Sequence, residues 1–221
     1  MARRLQLVFF DVDGVLVNVK SSWEYLHRSF GVLEEARKVK RLFEEGAIDY
    51  VEWMRRDTML WIKAAGGKVH RSVIIDLLSR IEVNPEARPL FRALRKRGIR
   101  IALVSSGIDL LVRRVAVELG VDAWAANKLE FDREGFLKPG GVPLVGVDKS
   151  RVVYRIANEL GASLRASAYV GDSRWDASAM KVVGLPIAYG DDPSLDGVAK
   201  ARVKRLSDIL EVITSWERGL L

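Results

Sequence analysis

Cysteine is absent from all 221 residues and histidine occurs only twice. That removes disulfides, thiolate metal centres and cysteine nucleophiles, and two imidazoles do not make a zinc site unaided. Oxygen ligands remain the way to hold a metal. Long apolar runs are missing as well, since none approaches the roughly 20 residues that a membrane span needs. Met1-Ala2-Arg3-Arg4 leads directly into an apolar run without a cleavage site, so a cytoplasmic location is expected. Uncharged amides are scarce. One glutamine, Gln6, and four asparagines stand against 36 lysines and arginines and 29 aspartates and glutamates, a balance that resembles a thermophile's.

What is present describes one large domain, or a main domain with a smaller insert, able to bury a substantial core. The net charge of +7 would suit a polyanion such as nucleic acid. The basic residues are scattered, however, and fall on predicted helix faces such as Arg95-Lys96-Arg97 and Arg113-Arg114. A solvated basic surface is therefore the expectation, and a nucleic-acid partner is not.

The chain is organised around Leu5 to Gly14. A short apolar run, long enough for one buried strand, ends in Asp11 and Asp13, with Gly14 closing the turn. About sixty residues of helix without strand follow. Ser21 or Ser22 can cap a helix to Phe30, Glu34 to Glu45 forms a second, Asp49 with Glu52 resembles a capping box for a third, and Val69 to Arg80 is a fourth. Asn84-Pro85 reads as an N-cap with proline at the first helical position.

From there helix and strand alternate. Ala87, Leu90, Phe91 and Leu94 share a helical face; Ile99 to Val104 is a strand ending in Ser105-Ser106-Gly107; Asp109 to Leu119 is helical and stopped by Gly120. Val121 to Ala126 is a strand, Leu129 to Leu137 a small hairpin, and Pro139-Gly140-Gly141 with Pro143 a loop. A helix after Asp148, a strand Ala166 to Val170, a strand Leu185 to Tyr189 and a last helix Ser207 to Trp216 complete the chain. Such alternation implies a parallel sheet covered on both faces by right-handed crossovers.

Four places carry polar groups that suit one another. Asp11 and Asp13 can share a hard cation, or Asp13-Gly14 can simply make a turn. Ser105, Ser106 and Gly107 offer hydroxyls and amides for an anion, or a plain serine cap. Lys149 sits where a cation opposes the helix dipole; it either neutralises a bound anion or is a surface lysine. Asp172 and Asp176 flank a turn after Gly171, as a second acidic pair or as a cap and an exposed acid.

Taken together, Asp-Val-Asp-Gly, Val-Ser-Ser-Gly, the helix-starting lysine and Gly-Asp-x-x-x-Asp resemble, in order and spacing, the haloacid dehalogenase superfamily. The resemblance spans nearly the whole chain. A helical insert directly after the first motif, with Leu-Val-Asn after the glycine and Ala-Asn-x-Leu at 126–129, is most similar to the phosphoserine phosphatase branch.

The resemblance implies an α/β fold with a Rossmann-like core of residues 1–17 and 84–221 and an all-helical cap of residues 18–83. It implies a Mg²⁺-dependent phosphomonoester hydrolase acting on a small phosphorylated metabolite. Asp11 would be the nucleophile that becomes an aspartyl-phosphate, and Asp13 the acid and then the base. Ser105 with the amides of Ser106 and Gly107 would hold the phosphoryl oxygens, and Lys149 would stabilise their charge. Asp172 would complete a Mg²⁺ site with Asp11 and the Asp13 carbonyl, while Asp176 would orient that site from behind. Phosphoryl transfer to another alcohol, and a non-catalytic basic binding protein on the same fold, are the alternatives.

Two departures from the family pattern concern the substrate. Where the phosphoserine enzymes carry a glutamate for the ammonium and an arginine for the carboxylate, this chain has Lys20 and Asp57, reversing both charges. Glu24, Arg55 or Arg56 would compensate in a shifted register. Trp175 stands where the family has a small polar residue and is expected to pack against the cap.

Overall fold

The computed structural model describes residues 4–221. Residues 1–3, the first part of the core segment 1–17 and of the stretch on which the leader reading rests, lie outside the described residues.

Leu7, Val8, Phe9 and Phe10 form strand β1 (Leu7–Phe10), and all four are fully buried. Their alternation explains why the run has no polar member. Val8 and Phe10 enter one hydrophobic core, while Leu7 and Phe9 enter a second on the opposite face. The neighbouring strands β2 (Arg100–Ile108) and β5 (Ser167–Gly171) repeat the pattern, with Ile101, Leu103, Ala168 and Val170 on the first face and Ala102, Val104 and Tyr169 on the other. β3 (Ala123–Phe131), β4 (Leu137–Val142), β6 (Leu185–Tyr189) and β7 (Ala201–Val203) complete a seven-stranded sheet in the order β4-β3-β2-β1-β5-β6-β7. Every pairing is parallel except β3 with β4.

The order reverses direction at β1, whose neighbours are β2 and β5. A crevice beyond the carboxyl ends of the strands is the consequence, and Asp11 follows the last residue of β1.

Between β1 and β2 lie α1 (Ser22–Ser29), α2 (Leu33–Glu44), α3 (Tyr50–Ala64), α4 (Arg71–Ser79) and α5 (Ala87–Lys96). Ser21 caps α1 through the Glu24 amide, and Asp49 caps α3 through the Glu52 amide at 2.8 Å. α6 (Asp109–Leu119) ends on Gly120 in the left-handed region, as its position predicts. α7 (Ser150–Glu159), the short α8 (Ala177–Met180) and α9 (Ile209–Glu217) follow. No helix among the described residues is long and apolar enough to cross a membrane.

Three local expectations are corrected. Pro139-Gly140-Gly141 is not a loop but the body of β4, an antiparallel edge strand that needs no donor on its outer side. Gly141 is required there, because a Cβ would stand 2.3 Å from the Lys128 carbonyl oxygen of β3. Asn84 does not cap α5 directly. Its carboxamide accepts the Glu86 amide at 3.0 Å and its carbonyl the Ala87 amide, so the helix begins two residues after Pro85. Strand β7 has no counterpart in the sequence reading, since three residues are too few to show a period.

Candidate active site

The turn after β1 builds the first part of the site. Gly14 has φ +74° and its amide donates to the Val19 carbonyl at 2.7 Å, which folds residues 12–19 into a tight loop. A Cβ on Gly14 would lie 2.1 Å from Asp172 Oδ2, so its missing side chain is what lets the β5 loop approach β1. Asp11, Asp172 and Asp176 consequently offer carboxylate oxygens within 4.8 Å of one another.

Lys149 reaches this cluster from the position just before α7. Its Nζ lies 2.7 Å from Asp11 Oδ2 and 2.7 Å from Asp176 Oδ1, and the side chain is 1% exposed. Burial alone would lower its pKa, but the two carboxylates outweigh that and raise it above the ordinary value, so the ammonium persists. Burial pushes the Asp11 carboxyl up, and Lys149 pulls it back toward the anion.

Asp176 has no oxygen to spare. Oδ1 takes Lys149 and stands 2.9 Å from the Tyr169 hydroxyl, while Oδ2 accepts the amides of Asp172 and Ser173 at 3.0 and 3.1 Å. It braces the loop from behind, which leaves Asp11 and Asp172 as the side chains facing the crevice.

Asp13 is buried and held differently. Its Oδ2 accepts both the amide and the hydroxyl of Ser22 at 2.7 Å, whereas Oδ1 is buried without a partner. Burial raises its pKa, with the Ser22 bonds opposing, so the protonated acid is favoured relative to a solvated aspartate. Ser105 is buried beside it and accepts the Gly107 amide at 3.1 Å. β2 continues through Ser105-Ser106-Gly107 to Ile108, so these residues form a strand tail ahead of α6 rather than its first turn. The Ser106 hydroxyl donates to the Gly146 carbonyl at 2.7 Å.

The donor set suits a hard divalent cation: Asp11 and Asp172, with Asp176 behind them, gather carboxylate oxygens within 4.8 Å of one another. A positive group already answers that charge, since Lys20 Nζ lies 2.9 Å from Asp172 Oδ2.

A cavity of about 430 Å³ opens from the Asp11, Asp13, Ser105 and Lys149 floor toward α1, α2 and α3. Of the proposed selectivity residues it is lined by Lys20, Glu24, Asp57 and Trp175. Arg55 and Arg56 are not among its walls. Both guanidiniums are held by Glu52, at 2.6 and 2.7 Å, on the outer face of α3. Glu24 pairs with Arg28 at 2.6 Å. Trp175 joins Phe43, Tyr50 and Trp53 in an aromatic group that links the β5 loop to α2 and α3, with ring centroids 4.4 to 6.4 Å apart. Arg174 lies 4.7 Å over the Trp175 ring and pairs with Glu44 of α2.

Sequence reasoning missed several contributors. Ser22 reads only as a helix start, yet it holds Asp13. Tyr169 reads as a core aromatic, yet its hydroxyl serves Asp176. Asn127 ties three segments together, donating to Tyr50 and the Ser106 carbonyl and accepting the Val145 and Gly146 amides. Ser22 and Tyr169 leave no signal in a single sequence, because each is a common residue on a regular element; Asn127 stands in the Ala-Asn-x-Leu segment at 126–129, but its partners are not legible there.

A family model described as haloacid dehalogenase-like hydrolase matches residues 5–184. The chain belongs to that family. Its sequence is 30% identical to the phosphoserine phosphatase of Methanocaldococcus jannaschii, over 96% of this chain and all of that one. It is 26% identical to the phosphoserine phosphatase of Saccharomyces cerevisiae, over 94% of this chain and 67% of that one. A solved structure of a phosphoserine phosphatase as a phospho-aspartyl intermediate analogue superposes with a TM-score of 0.80 at 28% identity, covering 95% of this chain and 99% of the other. The expected haloacid dehalogenase-like fold and phosphatase-type enzyme are met, and phosphoserine phosphatases are among the proteins the chain is similar to.

Proposed function

We propose that this haloacid dehalogenase-like hydrolase is a Mg²⁺-dependent phosphomonoester hydrolase of small phosphorylated metabolites, working through a phosphorylated Asp11. The observation that carries this reading is the buried Asp11 carboxylate held by Lys149 at 2.7 Å, at the floor of a cavity large enough for a metabolite. Residues 18–83 act in this reading as a cap over a core of residues 1–17 and 84–221, since the cavity walls opposite Asp11 come from α1, α2 and α3.

Asp11, Asp172 and the Asp13 carbonyl would hold the cation, which supplies positive charge where carboxylate and phosphate anions meet. Ser105 and the amides of Ser106 and Gly107 receive the phosphoryl oxygens, and Lys149 balances their charge. Asp11 attacks phosphorus as the P–O bond to the substrate alcohol breaks. Asp13, its protonated form favoured by burial, gives its proton to the departing alkoxide. The resulting carboxylate then takes a proton from water, which attacks the aspartyl-phosphate, releases phosphate and restores Asp11. A halide would leave without a proton, so Asp13 favours an ester substrate over a haloacid.

Release of phosphate from p-nitrophenyl phosphate with Mg²⁺, its loss on chelation and its loss in Asp11→Asn are the expected results. Salt-dependent RNA binding without turnover would support the non-catalytic alternative instead.

A further inference from the structure

Among the described residues, no lysine or arginine pairs with the Asp57 carboxylate in the cavity above Asp11. Asp57, on α3, is 3% exposed; its Oδ2 meets His27 Nε2 at 3.3 Å, and its Oδ1 is buried without a hydrogen-bond partner. The Trp61 indole N–H donates to His27 Nδ1 at 2.9 Å. An indole is only a donor, so Nδ1 must accept and the single ring proton sits on Nε2, facing Asp57. The imidazole is then neutral. Trp61 thereby fixes a hydrogen bond to Asp57 without giving it a counter-ion.

Of the other lining charges, Asp13 is held by Ser22 and Asp192 by the Ser194 amide at 2.8 Å, and most of the rest are paired with opposite charges. Lys20 lies on Asp172, Arg37 on Glu34 at 2.6 Å, and Lys40 is 3.9 Å from Glu44. On the acidic side Glu24 holds Arg28, and Asp191 pairs with Lys204 at 3.1 Å. Among the described residues, Asp57 is therefore the buried carboxylate that the helices α1, α2 and α3 turn to the cavity without a lysine or arginine partner, and a bare carboxylate in a desolvated place is costly until a cation arrives.

Its surroundings favour a particular cation. Tyr50, Trp53 and Asp57 follow at three- and four-residue spacing on one face of α3 and line the same cavity, with Trp23 from α1 and Trp175 from the β5 loop. Trp53 also steadies the Asp57 anion, though burial still raises its pKa. Aromatic faces around a carboxylate form a site for an ammonium, methylated ammonium included, because the ring quadrupoles and the anion attract the same charge.

We propose that Asp57 is a specificity-determining residue and that the substrate is a phosphomonoester whose alcohol carries an ammonium or quaternary ammonium group, received between Asp57 and the indoles. This rests on the phosphatase reading above. It places the substrate cation at Asp57, where the phosphoserine phosphatases resembled by this chain carry an arginine.

The test uses the full chain with Mg²⁺. Turnover of phosphocholine and O-phosphoethanolamine is compared with that of their uncharged carbon isosteres, neohexyl phosphate and propyl phosphate, and p-nitrophenyl phosphate serves as a general phosphatase substrate. A preference in kcat/KM of about tenfold or more for the cationic esters is expected, together with collapse of that ratio in Asp57→Asn. Turnover of p-nitrophenyl phosphate with no preference for cationic esters, or a preference that survives Asp57→Asn, overturns the assignment. Failure on every ester overturns the phosphatase reading instead. Quenching of tryptophan fluorescence by choline then separates the two, since saturable quenching upholds the cation site and its absence removes it. The wild-type ratio and the quenching both stand even where Asp57→Asn does not fold.

Discussion

Lys149 Nζ stands 2.7 Å from Asp11 Oδ2 across 138 positions of sequence, and neither side chain has appreciable access to solvent. Removing one member of such a pair strands the other. Lys149→Met leaves Asp11 and Asp176 as buried neighbouring carboxylates, so unfolding in urea is expected to show a loss of about 3–5 kcal/mol. Phosphatase turnover should fall with it. A variant as stable as the parent would mean that water already reaches this cluster.

Asp13 separates two half-reactions. In Asp13→Asn the nitrophenolate of p-nitrophenyl phosphate still departs unaided, but water is no longer activated. Rapid mixing should reveal a burst close to one equivalent followed by a steady state slower by about 10²–10⁴. An alkyl phosphate, which needs the proton, should give no burst. Equal losses in both phases would assign the acid to another group.

Gly14 tests how closely the two acidic loops must meet. Alanine there faces the left-handed region, costing about 1–2 kcal/mol, and its Cβ would displace Asp172 from 2.1 Å. Affinity for Mn²⁺, followed by electron paramagnetic resonance, is expected to drop by about tenfold or more. Unchanged affinity would remove Asp172 from the cation site.

Tyr50 carries a pH signature. Burial pushes its phenol from the ordinary value of 10.0 up to about 12, with the Asn127 amide at 2.8 Å opposing. The folded state thus prefers the neutral phenol. Its contribution to stability is complete below the unfolded pKa near 10 and is lost as pH rises toward 12. Absorbance titration of the phenolate band should contain a late tyrosine step near pH 12 that is missing in Tyr50→Phe. A step at the ordinary value would show the ring to be solvated.

Composition and periodicity were sufficient for the central strands and the alternation of helix and strand, though not for the edge strands β4 and β7. An apolar run with no polar member requires a strand covered on both faces, and helix alternating with strand requires parallel crossovers, so β1, β2, β5 and the position of Asp11 at a strand tip follow from local rules. The absence of cysteine confined any metal to oxygen ligands. Tertiary structure alone decided which groups meet. The separations of 138 positions between Asp11 and Lys149, 30 between His27 and Asp57 and 152 between Lys20 and Asp172 are closed by tertiary packing, on which spacing carries no information. Arg55 and Arg56 turn outward while Asp57 turns in, because consecutive residues of a helix point about 100° apart and only the fold chooses which face the cavity sees.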